Sequence, residues 1–302
     1  YRLAFALANE RAAQMVHGLY GLAAAAATLC LARRMGFGLS TGRLAAVMYL
    51  SIRNVVWEAG TSHNELALAA YTALALIAYL EWRSREDIRS MLLFGLMIGG
   101  MNLTKYVALP LMGCFGLIML VDLVIRRRPP WHAAIGFLVA LVVFSPLLVR
   151  NFAEAGNPVM PLFHDYFQWL FHGMEPSTGV LILPGEDSTI GSVIVSLLRL
   201  PWDIFVDPSR FMGGQQFGAP YLLMFAPLVL LTRGKGSNLW LVAALPVVFA
   251  VPWYLFIAQA TRHLAAIFPM LAALAACGPA ELWLRVRLRV TTTIVAVALM
   301  LF

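Results

Sequence analysis

The sequence predicts an all-α fold, a polytopic bundle of about nine to ten transmembrane helices with a long non-cytoplasmic loop that carries an interfacial helix. Composition is the first observation that predicts this class. Hydrophobic residues make up 61% of the chain, charged residues make up 12%, and the mean hydropathy is +0.79. These values do not describe a soluble globular domain. The second observation is that the apolar residues form runs of spanning length separated by short basic loops.

Apolar runs that are long enough, or nearly long enough, to cross a bilayer follow one another along the chain. They occur at about 11–32, 43–57, 64–82, 90–104, 106–125, 131–149, 219–232, 238–258, 262–284 and from 290 onward. We treat residues 1–302 as one transmembrane domain, with N-terminal helices in 1–149, an outer loop in 150–218 and C-terminal helices in 219–302. The chain starts at Tyr1 without a Met and ends inside an apolar run, so we expect it to be a fragment.

The basic residues indicate how the predicted helices are oriented. Most of the 22 Lys and Arg residues lie in five short loops, near Arg33, Arg83, Arg126, Arg233 and Arg285. The positive-inside rule places these loops in the cytoplasm, which leaves few cations and most carboxylates on the opposite face. The net charge of +7 therefore reflects membrane topology, and we predict no nucleic-acid partner. The three cysteines lie inside apolar runs, which favours neither disulfides nor a thiolate metal site.

A polar segment between the second and third apolar runs concentrates ionisable side chains at the membrane boundary. It contains Glu58, Ser62, His63, Asn64 and Glu65. Ser62 or Asn64 can cap the helix that follows, and Glu65 can complement its dipole. The same residues can instead hold a divalent cation, Mg²⁺ or Mn²⁺, with Glu65 as a ligand, or they can deprotonate an acceptor hydroxyl. Both interpretations stay open on the sequence alone.

Two basic positions on the same predicted face are candidates for binding an anion. Lys105 joins two apolar runs that have almost no linker between them, and Arg262 and His263 open a late helix. These side chains can simply extend to the lipid headgroups. In an outward-facing cavity, Lys105 can instead pair with a phosphate, and Arg262 offers a rigid fork of donors to phosphate oxygens.

The long outer loop begins at Arg150 and extends to about residue 219. Near its start, Gly156 can adopt the positive φ that a sharp turn requires. Aromatic residues at helical spacing over 163–171 predict an interfacial amphipathic helix. A turn of polar residues further on predicts a short helix over about 190–200.

Several of these short motifs together resemble a known family. The run Arg150-Asn151 … Gly156-Asn157-Pro158-Val159 … Pro161 resembles the RN…GNPVxP signature of bacterial GT-C glycosyltransferases of the RgtA/B/C/D-like and ArnT/protein-mannosyltransferase-related kind. Thr104-Lys105-Tyr106 resembles their TKY motif. Thr261-Arg262-His263, with Pro269 beyond it, resembles their TRY…P motif, although His263 replaces the usual Tyr. Ser62-His63-Asn64-Glu65 falls where many members place a second acidic motif.

The resemblance implies a multi-pass protein of the bacterial inner membrane that transfers a hexose or pentose from a polyisoprenyl-phosphate-linked donor. The acceptor would be a glycan, a lipid or a protein on the non-cytoplasmic face, and the transfer would invert the anomeric centre. Glu65 and Glu58 are the candidate catalytic residues. The residues expected to bind substrate are Lys105, Arg150, Asn151, Arg262, His263 and His63. The principal catalytic Asp of the family is expected upstream of Tyr1, and no cofactor beyond a divalent cation is implied.

A transporter or flippase of a lipid-linked or anionic substrate is the alternative function, because it also requires cations in a cavity between helices. Transporters often contain internal repeats with paired broken helices, and the sequence contains no evident repeat. A structural membrane subunit without chemistry is a third interpretation.

Overall fold

The computed structural model describes residues 8–61, 63–160, 189–211, 218–232, 236–256 and 260–283, together with residues 6, 162, 163, 166, 167 and 170. Over these residues the fold is all-α, which confirms the predicted fold class. The helices, in chain order, are α1 Glu10–Arg34, α2 Leu39–Leu50, α3 Arg53–Ala59, α4 Glu65–Arg85, α5 Ile88–Thr104, α6 Ala108–Arg126, α7 Trp131–Ala155, α8 Ile190–Val206, α9 Pro220–Phe225, α10 Ser237–Phe256 and α11 Thr261–Trp283. Short 3-10 segments cover Pro208–Arg210, Ala226–Leu231 and the first turns of α11, Thr261–Ile267.

The length and composition of the helices identify an integral, multi-pass membrane protein. In the described part of the chain, six helices are long and apolar enough to cross a membrane, namely α1, α4, α6, α7, α10 and α11. The helices Ile88–Thr104 and Tyr221–Leu230 are apolar but shorter. Every predicted apolar run that falls on described residues contains a helix, and the run from 290 onward lies outside them.

The prediction of one helix over 43–57 is wrong, because the chain breaks there into α2 and α3. Ile52 has extended backbone, with φ −65° and ψ 120°. At the break, the Ser51 hydroxyl donates to the carbonyl of Met48 at 2.9 Å and also lies 2.6 Å from the hydroxyl of Tyr221. Serine side chains that bond to nearby backbone compete with helix continuation, which accounts for the break at this position.

Helix α4 is the helix around which the bundle packs. It contacts α1, α5 and the first turns of α11, and most of its residues are buried. A helix that is apolar around its whole circumference belongs in the interior of a bundle. The two ends of α4 are therefore fixed in position, and both ends carry charged side chains.

One end of α4 lies among the arginine-rich loops and carries a buried ion-pair network. Arg83 donates to both carboxylate oxygens of Asp122 in α6, at 2.7 and 2.8 Å. The Tyr79 hydroxyl donates to the same carboxylate at 2.7 Å, and Arg83 also donates to the Asn238 side chain of α10 at 2.7 Å. Buried charges are stable only when they are paired and hydrogen-bonded. This network therefore joins α4, α6 and α10.

Helices α5 and α7 approach closely because glycines lie at their contact. A Cβ added at Gly95 would overlap the carbonyl oxygen of Gly136 and would lie 2.7 Å from the Cβ of Val139. One turn later, a Cβ added at Gly99 would lie 2.5 Å from the Cβ of Val143. Small residues at helix contacts are typical of membrane bundles, since they let the backbones approach.

We predict that Gly95→Ala destabilises the protein, whereas Gly113→Ala does not. Overpacking of a tight contact costs about 1–3 kcal/mol. Gly113 in α6 has open space around it, so that an added methyl group meets no atom within 4 Å. The thermal unfolding midpoint of each purified variant in detergent is the measurement. Equal midpoints for the two variants would contradict the close packing of α5 on α7.

Candidate functional site

Three breaks between helices come together at the end of the bundle opposite the arginine-rich loops. They are the connection from α3 to α4, the junction of α5 and α6, and the start of α11. At the α5–α6 junction, Lys105 adopts extended backbone, with φ −165° and ψ 144°, and ends α5. Each break brings at least one ionisable side chain to this end of the bundle.

The carboxylate of Glu65, the first residue of α4, is the centre of this cluster. Glu65 is 1% exposed. Its Oε1 atom forms an ion pair with Lys105 Nζ, and Arg262 Nε lies 3.7 Å from the same oxygen. Its Oε2 atom accepts the backbone N–H of Asn64 at 3.0 Å. One buried carboxylate therefore holds two cations that come from distant parts of the sequence.

A hydrogen bond between helix ends fixes the distance from Glu65 to Lys105. Asn64 occupies the N-cap position of α4, but its side chain makes no capping hydrogen bond. Its amide instead donates to the carbonyl of Thr104 at the end of α5. Asn64 therefore occupies the predicted N-cap position without making the capping hydrogen bond, and its amide donor satisfies a free carbonyl at the end of α5. Ser62, the other predicted cap, lies outside the described residues.

Glu58 forms a second cluster beside the first. Its side chain is fully buried at the end of α3. Its Oε2 atom lies 3.2 Å from His63 Nδ1 and 3.7 Å from His17 Nε2, and it accepts a hydrogen bond from the Thr61 hydroxyl at 3.3 Å. Its Oε1 atom is buried without a hydrogen-bond partner among the described residues. The sequence predicted Glu58 in an outer loop, whereas it belongs to a short helix packed against α1.

His17 contributes to this cluster and was missed by the sequence analysis. It lies inside α1 and is fully buried. The available signal was a lone ionisable residue within a membrane-spanning run, which usually has a partner or a function. Nothing in the sequence indicated that its partner would be Glu58.

The two clusters together contain the groups that could hold a metal ion. One ligand atom from each of Glu58, His63 and Glu65 lies within 4.8 Å of the others. Two carboxylates and an imidazole are common ligands of divalent ions. This agrees with the prediction that Glu65 is a candidate metal ligand and adds two neighbours to it.

The structure does not bring every predicted binding residue to these clusters. Arg150 is exposed and pairs with Glu154 one turn further along α7, at 2.9 Å. Asn151 donates to the carbonyl of Pro158 at 3.4 Å. In the described part of the chain, no hydrogen bond or ion pair joins Arg150 or Asn151 to Glu65 or Glu58. His263 is buried in the first turn of α11, next to Arg262.

The segment predicted to be the outer loop begins with a well-defined turn. Gly156 has φ +64°, as its predicted role in a sharp turn requires. The buried Asn157 side chain accepts from the Val159 N–H at 2.9 Å and donates to the Leu162 carbonyl at 2.8 Å. These hydrogen bonds give the Gly-Asn-Pro motif a structural role, because the asparagine side chain satisfies a backbone N–H and a backbone carbonyl within the turn.

The segment predicted to be the outer loop also contains an amphipathic helix, α8. Thr189 caps it by accepting the Ser192 N–H at 3.2 Å, and the helix extends to Val206, beyond its predicted end. A row of exposed apolar residues runs along one face: Ile190, Ile194, Leu198, Trp202 and Val206. This pattern is typical of a helix that lies in the membrane interface. The helix predicted over 163–171 lies mostly outside the described residues.

An apolar cavity of about 340 Å³ lies between α8, α10 and α11. Its lining includes Leu200 and Ile204 of α8, Val247 and Ala250 of α10, and Leu264 and Ile267 of α11. Leu264 is two residues beyond Arg262 in the same 3-10 segment. The cavity therefore places a surface suited to hydrocarbon near the cationic cluster.

Comparisons with known proteins agree with the sequence resemblance to GT-C glycosyltransferases. The sequence model of the family Dolichyl-phosphate-mannose-protein mannosyltransferase matches residues 3–150. The chain has no match among curated protein sequences.

Two solved structures of ArnT from Cupriavidus metallidurans share the fold. The apo structure is 18% identical with a TM-score of 0.60, and the match covers 91% of this chain and 47% of that one. The structure bound to undecaprenyl phosphate is 18% identical with a TM-score of 0.61, covering 98% of this chain and 52% of that one. This chain thus spans about half the length of the ArnT structures, and at this identity the similarity concerns the fold.

We predict that Lys105 and Glu65 are energetically coupled. Lys105→Met leaves a buried carboxylate with only the more distant Arg262, and breaking a buried ion pair costs about 3–5 kcal/mol. The double variant Glu65→Gln/Lys105→Met should recover much of this loss, because it leaves neither charge unpaired. Thermal unfolding of the two single variants and the double variant measures the coupling. Strictly additive losses would show that the pair does not form.

Proposed function

We propose that the natural protein transfers a hexose or pentose from a polyisoprenyl-phosphate-linked donor to an acceptor on the non-cytoplasmic face of the membrane, with inversion. The observation that carries this proposal is the convergence of Lys105 and Arg262 on one oxygen of Glu65. This cluster lies at the end of the bundle away from the arginine-rich loops, which the positive-inside rule assigns to the cytoplasm.

The paired cations suit the leaving group of this reaction. When the bond between the sugar and the phosphate breaks, negative charge accumulates on the phosphate oxygens. Cations that are already held in place stabilise such charge without reorganising during the reaction. Glu65 holds both cations, while the Arg262 side chain is 38% exposed and the Lys105 side chain 15% exposed, so that an incoming phosphate can reach them.

The apolar cavity suits the lipid portion of the donor. A polyisoprenyl chain is hydrocarbon, and the cavity between α8, α10 and α11 is lined by apolar side chains. The chain can therefore make favourable van der Waals contacts there. Leu264 and Ile267 line this cavity from the segment that also carries Arg262. A phosphate at Arg262 would therefore lie close to the lipid chain. One of the ArnT structures holds undecaprenyl phosphate, a lipid of the class proposed here.

Glu65 and Glu58 are the proposed catalytic carboxylates. Glu65 positions the two cations. Glu58 Oε2 lies 3.2 Å from His63 Nδ1, so this carboxylate can accept a proton that His63 relays from an acceptor hydroxyl. The His63 side chain is 39% exposed and connects the buried carboxylate with the outside. His263, Arg150 and Asn151 remain proposed substrate-binding residues, and a divalent cation at Glu65 remains part of the proposal.

We predict that Lys105→Met and Arg262→Met each weaken binding of a polyisoprenyl phosphate by at least about tenfold. Losing a hydrogen bond to a charged group costs about 1.5–3 kcal/mol, and 1.4 kcal/mol corresponds to a factor of ten. Binding of undecaprenyl phosphate to the purified natural protein is the measurement. Arg11→Gln, at an exposed arginine near the start of α1, is the matched control and should bind as the wild type does.

Release of free polyisoprenyl phosphate from a sugar-loaded donor separates a transferase from a transporter. A transferase cleaves the sugar–phosphate bond and yields the free lipid phosphate together with a glycosylated acceptor. Movement of the intact sugar lipid across a vesicle membrane without cleavage would contradict the proposal and support a flippase. Unchanged lipid binding in both cation variants would also contradict it.

A further inference from the structure

A second apolar cavity, of about 660 Å³, lies between α6 and α10 and begins at the arginine-rich end of the bundle. Its walls are apolar along most of their length, and Arg83, Asp122 and Arg126 line it at one end. The apolar lining includes Leu117, Val121 and Ile125 of α6 and Trp240, Ala244 and Val248 of α10. The cavity therefore combines a hydrocarbon-like wall with a charged mouth, at the opposite end of α4 from Glu65.

The apolar wall has the length of a lipid chain in one leaflet. Leu117 and Ile125 are eight residues apart on α6, as are Trp240 and Val248 on α10. Eight residues of α-helix rise about 12 Å, and one leaflet contributes about 15 Å of hydrocarbon to a bilayer. The positive-inside rule assigns the arginine-rich end to the cytoplasm, so this wall faces the chains of the cytoplasmic leaflet.

The mouth of the cavity carries an excess of positive charge. Arg83 and Arg126 both pair with the carboxylate of Asp122, at 2.7 and 3.1 Å. The Arg83 side chain is 3% exposed and is held inside the bundle, whereas the Arg126 side chain is 30% exposed. The exposed Arg127 follows in the chain. Two arginines at one carboxylate leave a positive charge that an anion can neutralise, and Arg126 is the one that a ligand in the cavity can reach.

A tryptophan marks the level of the lipid headgroups at this mouth. Arg83 donates to the Asn238 side chain at 2.7 Å, which places the first turn of α10 beside the arginines. Trp240 lies in that turn, is exposed and lines the cavity. Tryptophan is enriched where the hydrocarbon of a membrane meets the headgroups, because its ring is apolar and its N–H is polar. The charged mouth is thus at the depth where a lipid phosphate lies.

We propose that this cavity binds one phospholipid with an anionic headgroup from the cytoplasmic leaflet. An acyl chain lies between α6 and α10, and the phosphate lies at Arg126. Basic pockets between transmembrane helices on the cytoplasmic side suit anionic headgroups in this way. A zwitterionic lipid offers the same chain but no net charge, so it gains less from the arginines. The site goes beyond the transfer reaction, which is proposed for the other end of the bundle, and its lipid would join α6 to α10.

The test is lipid binding by the purified natural protein in detergent, counted by native mass spectrometry. Dioleoyl phosphatidylglycerol and dioleoyl phosphatidylcholine have the same chains and differ in headgroup charge. We expect the wild type to bind one more phosphatidylglycerol than Ala244→Trp, whose added ring fills the cavity. Phosphatidylcholine at equal concentration should not displace this lipid. Phosphatidylglycerol should also raise the thermal unfolding midpoint of the wild type more than that of Ala244→Trp.

Matched controls separate this site from general attraction to lipid. Val142→Trp adds the same ring to an exposed position of α7 outside the cavity and should bind as the wild type does. Arg126→Gln should weaken phosphatidylglycerol binding by about fivefold, the usual effect of one arginine near an anionic lipid. Arg89→Gln removes an exposed arginine of α5 outside the cavity and should leave the binding unchanged.

Equal binding of the two lipids by the wild type, or equal phosphatidylglycerol binding by the wild type and Ala244→Trp, would overturn the inference. So would equal losses in Arg126→Gln and Arg89→Gln. Ala244→Trp decides the matter even if Arg126→Gln does not fold, because it leaves the ion pairs of Asp122 in place. Undecaprenyl phosphate binding that depends on Lys105 and Arg262 tests the proposed function separately, so either result can fail while the other holds.

Discussion

The ion pairs of Glu65 are the interactions on which the site depends. A carboxylate with almost no exposure is stable at the end of α4 only because Lys105 and Arg262 supply the opposite charge. The same ion pairs hold the flexible side chains of Lys105 and Arg262 next to Glu65 Oε1. The anion site that we propose would therefore be assembled before any ligand binds.

Helix α4 explains why this arrangement is stable. Its Arg83 end is joined to α6 and α10 through Asp122 and Asn238, and its Glu65 end is joined to the α5–α6 junction and to the start of α11. Between the two charged ends the helix is almost entirely apolar and buried. Ionisable groups inside a membrane protein occur where they have partners, and here both sets of partners also determine how the helices pack.

The sequence predicted the helices well and the site only in pieces. Apolar runs identify spanning helices because bilayer thickness fixes their length. Glu65, Lys105 and Arg262 were each recognised as candidates, but Lys105 is 40 positions from Glu65 in the sequence, and their contact depends on how three helices pack. The burial of Glu58 and the role of His17 depend on the same packing. The pairing of Arg150 with Glu154 was accessible to sequence reasoning, since oppositely charged residues four apart on a helix are neighbours.

An experimental structure of the natural protein with undecaprenyl phosphate bound is the most direct measurement of whether Lys105 and Arg262 form an anion site. We expect the phosphate oxygens within about 3 Å of Lys105 Nζ and the Arg262 guanidinium, with the lipid chain leading into the cavity beside Leu264. A phosphate bound elsewhere, with both cations still directed only at Glu65, would contradict the account.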